Sequence, residues 1–92
     1  MIKSFNHKGL EEFFTTGSTR GIQVQHAKKL DTILTALDRV KYTEDLNLYT
    51  FNLHKLKGKL KDLWSIKVNG NWRITFKFED ENVYIVDYVD YH

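Results

Sequence analysis

The chain contains no cysteine, no proline and only five glycines in 92 residues. Without cysteine there is no disulfide framework and no thiolate metal ligand, which fits a reducing compartment. No apolar run approaches the roughly 20 residues that span a bilayer. Met1-Ile2-Lys3-Ser4-Phe5 lacks the apolar core of a secretory signal. The expectation is a cytoplasmic protein with no membrane partner. No low-complexity linker or internal repeat interrupts the sequence, and 92 residues support one domain, 1–92, with one modest core. An apolar content of 41% is ordinary for a globular chain and argues against wholesale disorder.

A net charge of +2 says little about partners, but its distribution says more. From Lys55 to Lys77 the cations are Lys55, Lys57, Lys59, Lys61, Lys67, Arg73 and Lys77, against Asp62 alone. Beyond Lys77 the charges are all acidic: Glu79, Asp80, Glu81, Asp87 and Asp90. Such a cationic stretch attracts polyanions through counterion release. The plainer reading is a solvated lysine-rich loop.

Ile2 to Phe5 reads as a short first strand. Leu10, Phe13 and Phe14 fall on one face of a helix that Gly9 weakens and Thr15-Thr16-Gly17-Ser18 ends. Thr19-Arg20-Gly21 reads as loop. Val24, Ala27, Leu30, Ile33, Leu34, Leu37 and Val40 form the apolar stripe of a second, stronger helix. Thr43 suits the N-cap of a short turn through Leu46. His7 and His26 fall in helical segments away from the cations and read as surface residues.

The C-terminal half is strand-like. Trp64, Ile66 and Val68 alternate with polar residues, as do Trp72, Ile74, Phe76 and Phe78, so one sheet face packs and the other stays polar. Asn69-Gly70 marks a hairpin. A two-residue loop there would set Val68 against Asn71 and mix core with polar residues on one face. A loop Asn69-Gly70-Asn71 instead pairs Val68 with Trp72, Ile66 with Ile74 and Trp64 with Phe76. It sets Lys67 beside Arg73 and Ser65 beside Thr75, with Arg73 on the open face and Asn71 at the tip. Val83 to Tyr91 reads as a final strand whose facing periodicity leaves open. Either Tyr84, Val86, Tyr88, Asp90 and His92 lie beside Arg73, or Ile85, Asp87, Val89 and Tyr91 do. The fold class is α+β: N-terminal helices packed on one face of a twisted antiparallel β-sheet.

These residues suit RNA phosphate chemistry. Cleavage by the neighbouring 2′-hydroxyl needs a base for that hydroxyl, an acid for the leaving 5′-oxygen and cations for the phosphorane. His54, which opens the lysine loop, and His92 are candidates for proton transfer. Lys57 and Arg73 are candidates for phosphate, Arg73 because its fork donates in two directions. The alternative for Arg73 is a salt bridge to Asp87 or Asp90. Asp90 suits orienting a histidine, and Tyr91 suits stacking on a base or donating to phosphate. No His/Asp/Glu spacing matches a known ligand pattern, so neither metal nor cofactor is expected.

Along nearly its whole length the sequence resembles the HigB toxins of the RelE/ParE toxin superfamily. The resemblance starts at Ile2-Lys3-Ser4-Phe5 and His7-Lys8-Gly9-Leu10. It is densest in Leu53-His54-Lys55-Leu56-Lys57-Gly58, Trp64-Ser65-Ile66-Lys67-Val68 and Asn71-Trp72-Arg73-Ile74-Thr75-Phe76, and it closes on Asp87-Tyr88 and Asp90-Tyr91-His92. It implies a RelE-like microbial RNase fold with the active site on the concave open face. It implies an mRNA endonuclease acting in the A site of translating ribosomes, and a helix-turn-helix HigA antitoxin through which alone the toxin meets operator DNA. Carried over by motif, the catalytic set is His54, Lys57, Arg73, Asp90, Tyr91 and His92. Asn71 is then a substrate contact, and Lys55, Lys59, Lys61 and Arg20 hold ribosomal RNA and mRNA. Two alternatives stand beside this one. A ParE-type toxin shares the fold and poisons DNA gyrase, but needs no such convergence on the polar face. A non-catalytic RNA-binding module would keep salt-dependent affinity without cleavage.

Overall fold

The computed structural model describes residues 1–49, 53–56 and 63–91. Helix α1 spans Lys8–Thr16 and α2 spans Ala27–Arg39, the latter entered through a 3-10 turn, Val24–His26. A second 3-10 turn covers Thr43–Tyr49. Strands β1 (His54–Lys55), β2 (Trp64–Asn69), β3 (Trp72–Glu79) and β4 (Asn82–Asp90) form one sheet in the order β1-β2-β3-β4, each neighbouring pair antiparallel. No helix among the described residues is long and apolar enough to cross a membrane.

Helix α1 starts where the His7 side chain takes the cap: Nδ1 accepts the Leu10 N–H at 3.0 Å. Gly17 ends it at φ 82°, its N–H donating to the Phe13 carbonyl at 2.9 Å. That left-handed cap favours glycine. Gly9, a helix weakener by propensity, serves packing. A Cβ there would lie 2.6 Å from the Gly21 carbonyl oxygen and 2.7 Å from the Gly21 Cα. The two backbones meet at a distance only glycine permits.

The core lies between the helices and one sheet face. Leu10 of α1 and Leu30, Ile33, Leu34 and Leu37 of α2 are buried against Ile66, Ile74, Phe76, Val83, Val86 and Tyr88. The α2 stripe matches the periodic reading from Leu30 onward but not at its start. Val24 is 68% exposed and His26 only 4% exposed. A 3-10 turn advances about 120° per residue rather than 100°, so the helical phase does not extend back through it. His26 is therefore a core residue, and His7 is a half-buried cap.

Ile2 and Phe5 make isolated parallel bridges to Val83 and Val86 rather than a regular strand. Between them the Ser4 hydroxyl accepts the Ile85 N–H at 2.8 Å, where Ile85 takes φ 48°. The register of β3 against β4 shifts at this bulge, between Thr75 and Lys77. Thr43 begins the second 3-10 turn, and at its head the Asp45 carboxylate accepts the Tyr42 N–H at 3.4 Å.

The hairpin follows the expected pairing from Trp64–Phe76 through Lys67–Arg73 and departs from it at the tip. There Asn69 pairs with Trp72 around a two-residue turn, Gly70-Asn71, and Val68 is the extra residue of a bulge. The bulge reconciles a short turn, helped by Gly70 at φ 56°, with a register that keeps the apolar residues on one face.

Candidate active site

Strand pairing defines what the open face presents. His54, Ser65, Thr75 and Asp87 form one row across all four strands. Lys67, Arg73 and Val89 form the next row towards the hairpin tip. Ser65 and Thr75 are buried, whereas His54 and Lys67 are exposed and Arg73 is half-buried. Small side chains thus make a low floor, with the longer His54, Lys67, Arg73 and Asp87 side chains around it.

β4 presents Asp87 and Val89 on the Arg73 side, and alternation carries Tyr91 after them. Tyr88 and Asp90 pair with Ile74 and Trp72 on the covered side. Sequence periodicity left this facing open because β4 contains two phases. Val83, Val86 and Tyr88 all point inward, a spacing of three and then two, since the Ile85 bulge inserts a residue.

Arg73 Nη1 donates to the Gly70 carbonyl at 2.8 Å and the Trp72 carbonyl at 3.1 Å. These bonds hold the guanidinium at the tip; its Nε and Nη2 hydrogens take no part in them. Asn71 accepts the Tyr91 N–H at 2.9 Å, tying the end of β4 to the tip. Tyr91 is 40% exposed. On the open face Asp87 is fastened by the Asn6 side-chain amide at 3.3 Å and by the Tyr88 N–H at 2.9 Å.

His54 and Arg73 therefore share the open side, with Asn71 at its tip and the exposed Tyr91 tied to Asn71 through its backbone. His54 and Lys55 lie in a two-residue strand rather than at the start of a loop; two residues are too few to show alternation. Lys55 pairs with Trp64 and stands 5.8 Å from the centre of its ring, on the other side of the sheet. Asp90 is exposed at the end of β4 on the Trp72 side. Arg20 is exposed in the loop that the Gly9–Gly21 contact ties to α1. Lys57, Lys59, Lys61 and His92 lie outside the described residues. The chain on either side of residues 57–62 is closed by the Leu56 N–H donating to the Leu63 carbonyl at 2.9 Å.

Two residues of this face, Lys67 and Asp87, were not among the candidates from sequence. The hairpin register already set Lys67 beside Arg73. Asp87 depended on the facing of β4, which only the pairing resolves.

His54 and Arg73 sit two strands and two residues apart, a Cα separation of about 12 Å from standard sheet spacings. Lys67, on β2 between them, adds a second cation to the same side of the sheet. Imidazole supplies proton transfer near neutral pH and the cations offset phosphorane charge. Among the described residues no group of three or more His, Asp or Glu side chains could hold a metal ion. Beneath the tip, burial raises the Tyr88 phenol above its usual range, with the Gln23 backbone opposing and the Asp90 charge adding to the shift.

Two helices packed on a four-stranded antiparallel sheet form an α+β fold consistent with RelE-like toxins. The family model of HigB-like toxins, described as the RelE-like toxin of type II toxin-antitoxin system HigB, matches residues 3–92, and the chain belongs to that family. It is 45% identical over 92 residues, the whole of both chains, to the Endoribonuclease HigB of Proteus vulgaris.

Proposed function

We propose that this toxin is an endoribonuclease that cuts mRNA in the A site of translating ribosomes and so arrests protein synthesis. What supports this reading most is that His54, Lys67 and Arg73 share one open sheet side, with the Tyr91 backbone tied to the hairpin tip. The full-length likeness to a protein named as an endoribonuclease supports it. In the reaction the 2′-oxygen attacks phosphorus and the P–O5′ bond breaks. A base takes the 2′-proton and an acid supplies one to the 5′-oxygen. The products are a 2′,3′-cyclic phosphate and a 5′-hydroxyl.

His92 is the leading proton-transfer group and His54 the second; since Asp90 pairs on the Trp72 side, away from His54, the histidine it orients is His92. Lys57 and Arg73 hold the phosphorane, and Tyr91 stacks on a base or donates to phosphate. Asn71 contacts substrate. Lys55, Lys59, Lys61 and Arg20 extend the grip to ribosomal RNA and mRNA backbones. The antitoxin is a helix-turn-helix protein of HigA type, and operator DNA is met only through it. The protein works in the cytoplasm.

The test is primer extension on mRNA after induction. Discrete, translation-dependent breaks that vanish with His92→Ala and Arg73→Ala support the reading. Growth arrest with intact mRNA and DNA damage signalling would instead indicate a gyrase poison, which the match to HigB-like toxins does not favour.

A further inference from the structure

His26 is no part of the open face, yet it is almost wholly buried and bonded across 62 residues of sequence. Its Nδ1 sits 2.6 Å from the Tyr88 hydroxyl. Tyr88 stacks on Trp72 with ring centres 4.5 Å apart. The His26 ring meets Trp72 edge-on at 5.8 Å, and His7, the cap of α1, meets Tyr88 edge-on at 5.5 Å. Two helix N-termini thus grip the same pair of cross-strand aromatics. Trp72 and Tyr88 also lie towards the hairpin-tip end of the covered face. Immediately beyond them Trp72 pairs with Asp90, and Asn71 accepts the Tyr91 N–H.

The far end of β4 is held by the N-terminal segment at Val83 and Val86. At the tip end β4 is held by the Tyr91 N–H bond to Asn71 and by the stack of Tyr88 on Trp72. We propose that His26 is a positioning residue: through its bond to Tyr88 it holds the end of β4 against the hairpin and so sets where Asp90 and Tyr91 stand relative to Arg73. The inference rests on the nuclease reading for its effect on rate, and on geometry alone for its effect on the strand. The Tyr88 hydroxyl and His26 Nδ1 pair as donor and acceptor, in the order the imidazole tautomer sets. An asparagine side-chain amide can fill either role; a leucine of similar volume cannot.

The test compares His26→Leu, His26→Asn and Tyr88→Phe in the full chain, well below the melting temperature of each. The first readout is cleavage of mRNA on programmed ribosomes. His26→Leu and Tyr88→Phe should lower kcat by about 10- to 100-fold with KM unchanged, because the reacting groups shift while the cationic face stays. His26→Asn should recover most of the loss. The second readout is hydrogen exchange at the Tyr91 amide, which should quicken about tenfold in His26→Leu and Tyr88→Phe and stay slow in His26→Asn. Wild-type kcat in Tyr88→Phe, or equal losses in His26→Leu and His26→Asn, overturns the proposal. Should His26→Leu not fold, Tyr88→Phe decides. Should the wild-type toxin cut no RNA, the nuclease reading fails by itself, and unchanged Tyr91 protection in Tyr88→Phe would still sink the positioning role.

Discussion

On the covered face of the sheet Ile66, Ile74 and Phe76 expose none of their surface, whereas one residue along the same strands Lys67 is exposed and Arg73 half-buried. The first group is held by apolar packing under α1 and α2. In the second, Arg73 is held by bonds to carbonyls at the hairpin tip, which fix its position without neutralising its charge. The strands thus carry an apolar packing face and a cationic face at once, separated only by the side-chain alternation of a pleated sheet. Substitutions on the two faces should consequently separate folding from activity.

The largest expected effect is on the covered face. Phe76→Ala should cost about 3–5 kcal/mol of unfolding free energy, a large share of what holds a domain this size together. Urea denaturation of the purified chain measures it; a loss below that of Val89→Ala on the open face would erase the distinction. Arg73→Ala should do the opposite. Cleavage should slow roughly 10²–10³-fold, the cost of removing one transition-state donor. Its unfolding free energy should fall by no more than about 1.5 kcal/mol, the worth of a lost hydrogen bond. Single-turnover kinetics and denaturation on the same sample test both halves.

Gly9→Ala sharpens the comparison within the helical layer. Helix propensity alone predicts a gain of up to about 1 kcal/mol. The 2.6 Å approach to the Gly21 carbonyl predicts a net loss instead, of about 1–3 kcal/mol. The sign of the change in melting temperature decides between them.

The smallest effect is the alkaline limb of stability. The folded-state Tyr88 phenol titrates above the ordinary value of 10.0, so from about that pH upward the unfolded chain loses its proton more readily than the folded one. Stability is unaffected well below that value and falls as pH rises through it towards the folded-state value. Tyr88→Phe should flatten that limb, seen as a weaker loss of melting temperature between neutral and alkaline buffers.

Much of this was legible without coordinates, for definite reasons. The α2 stripe from Leu30 to Val40 and the hairpin from Trp64 to Phe76 depend on bonds within their own segments, so local periodicity reports them. The cationic stretch and the likeness to HigB toxins are properties of residue identity. His54 in a strand, His26 in the core and Asp87 on the open face were not legible, because each depends on a partner distant in sequence: β2 for His54, Tyr88 for His26, β3 for Asp87.

The sequence by itself determined which segments are amphipathic, with what period, that a hairpin joins Trp64 to Phe76 and which chemistry-bearing residues the chain carries; the turn and its bulge at Val68 came from the structure. Tertiary structure decided how β4 faces. The bulge at Ile85 breaks the alternation, so no single phase describes that strand, and only its pairing with β3 on one side and the N-terminal segment on the other selects the residues that meet Arg73. A periodic pattern records which faces differ; which face meets which neighbour is a matter of packing between segments far apart in the chain.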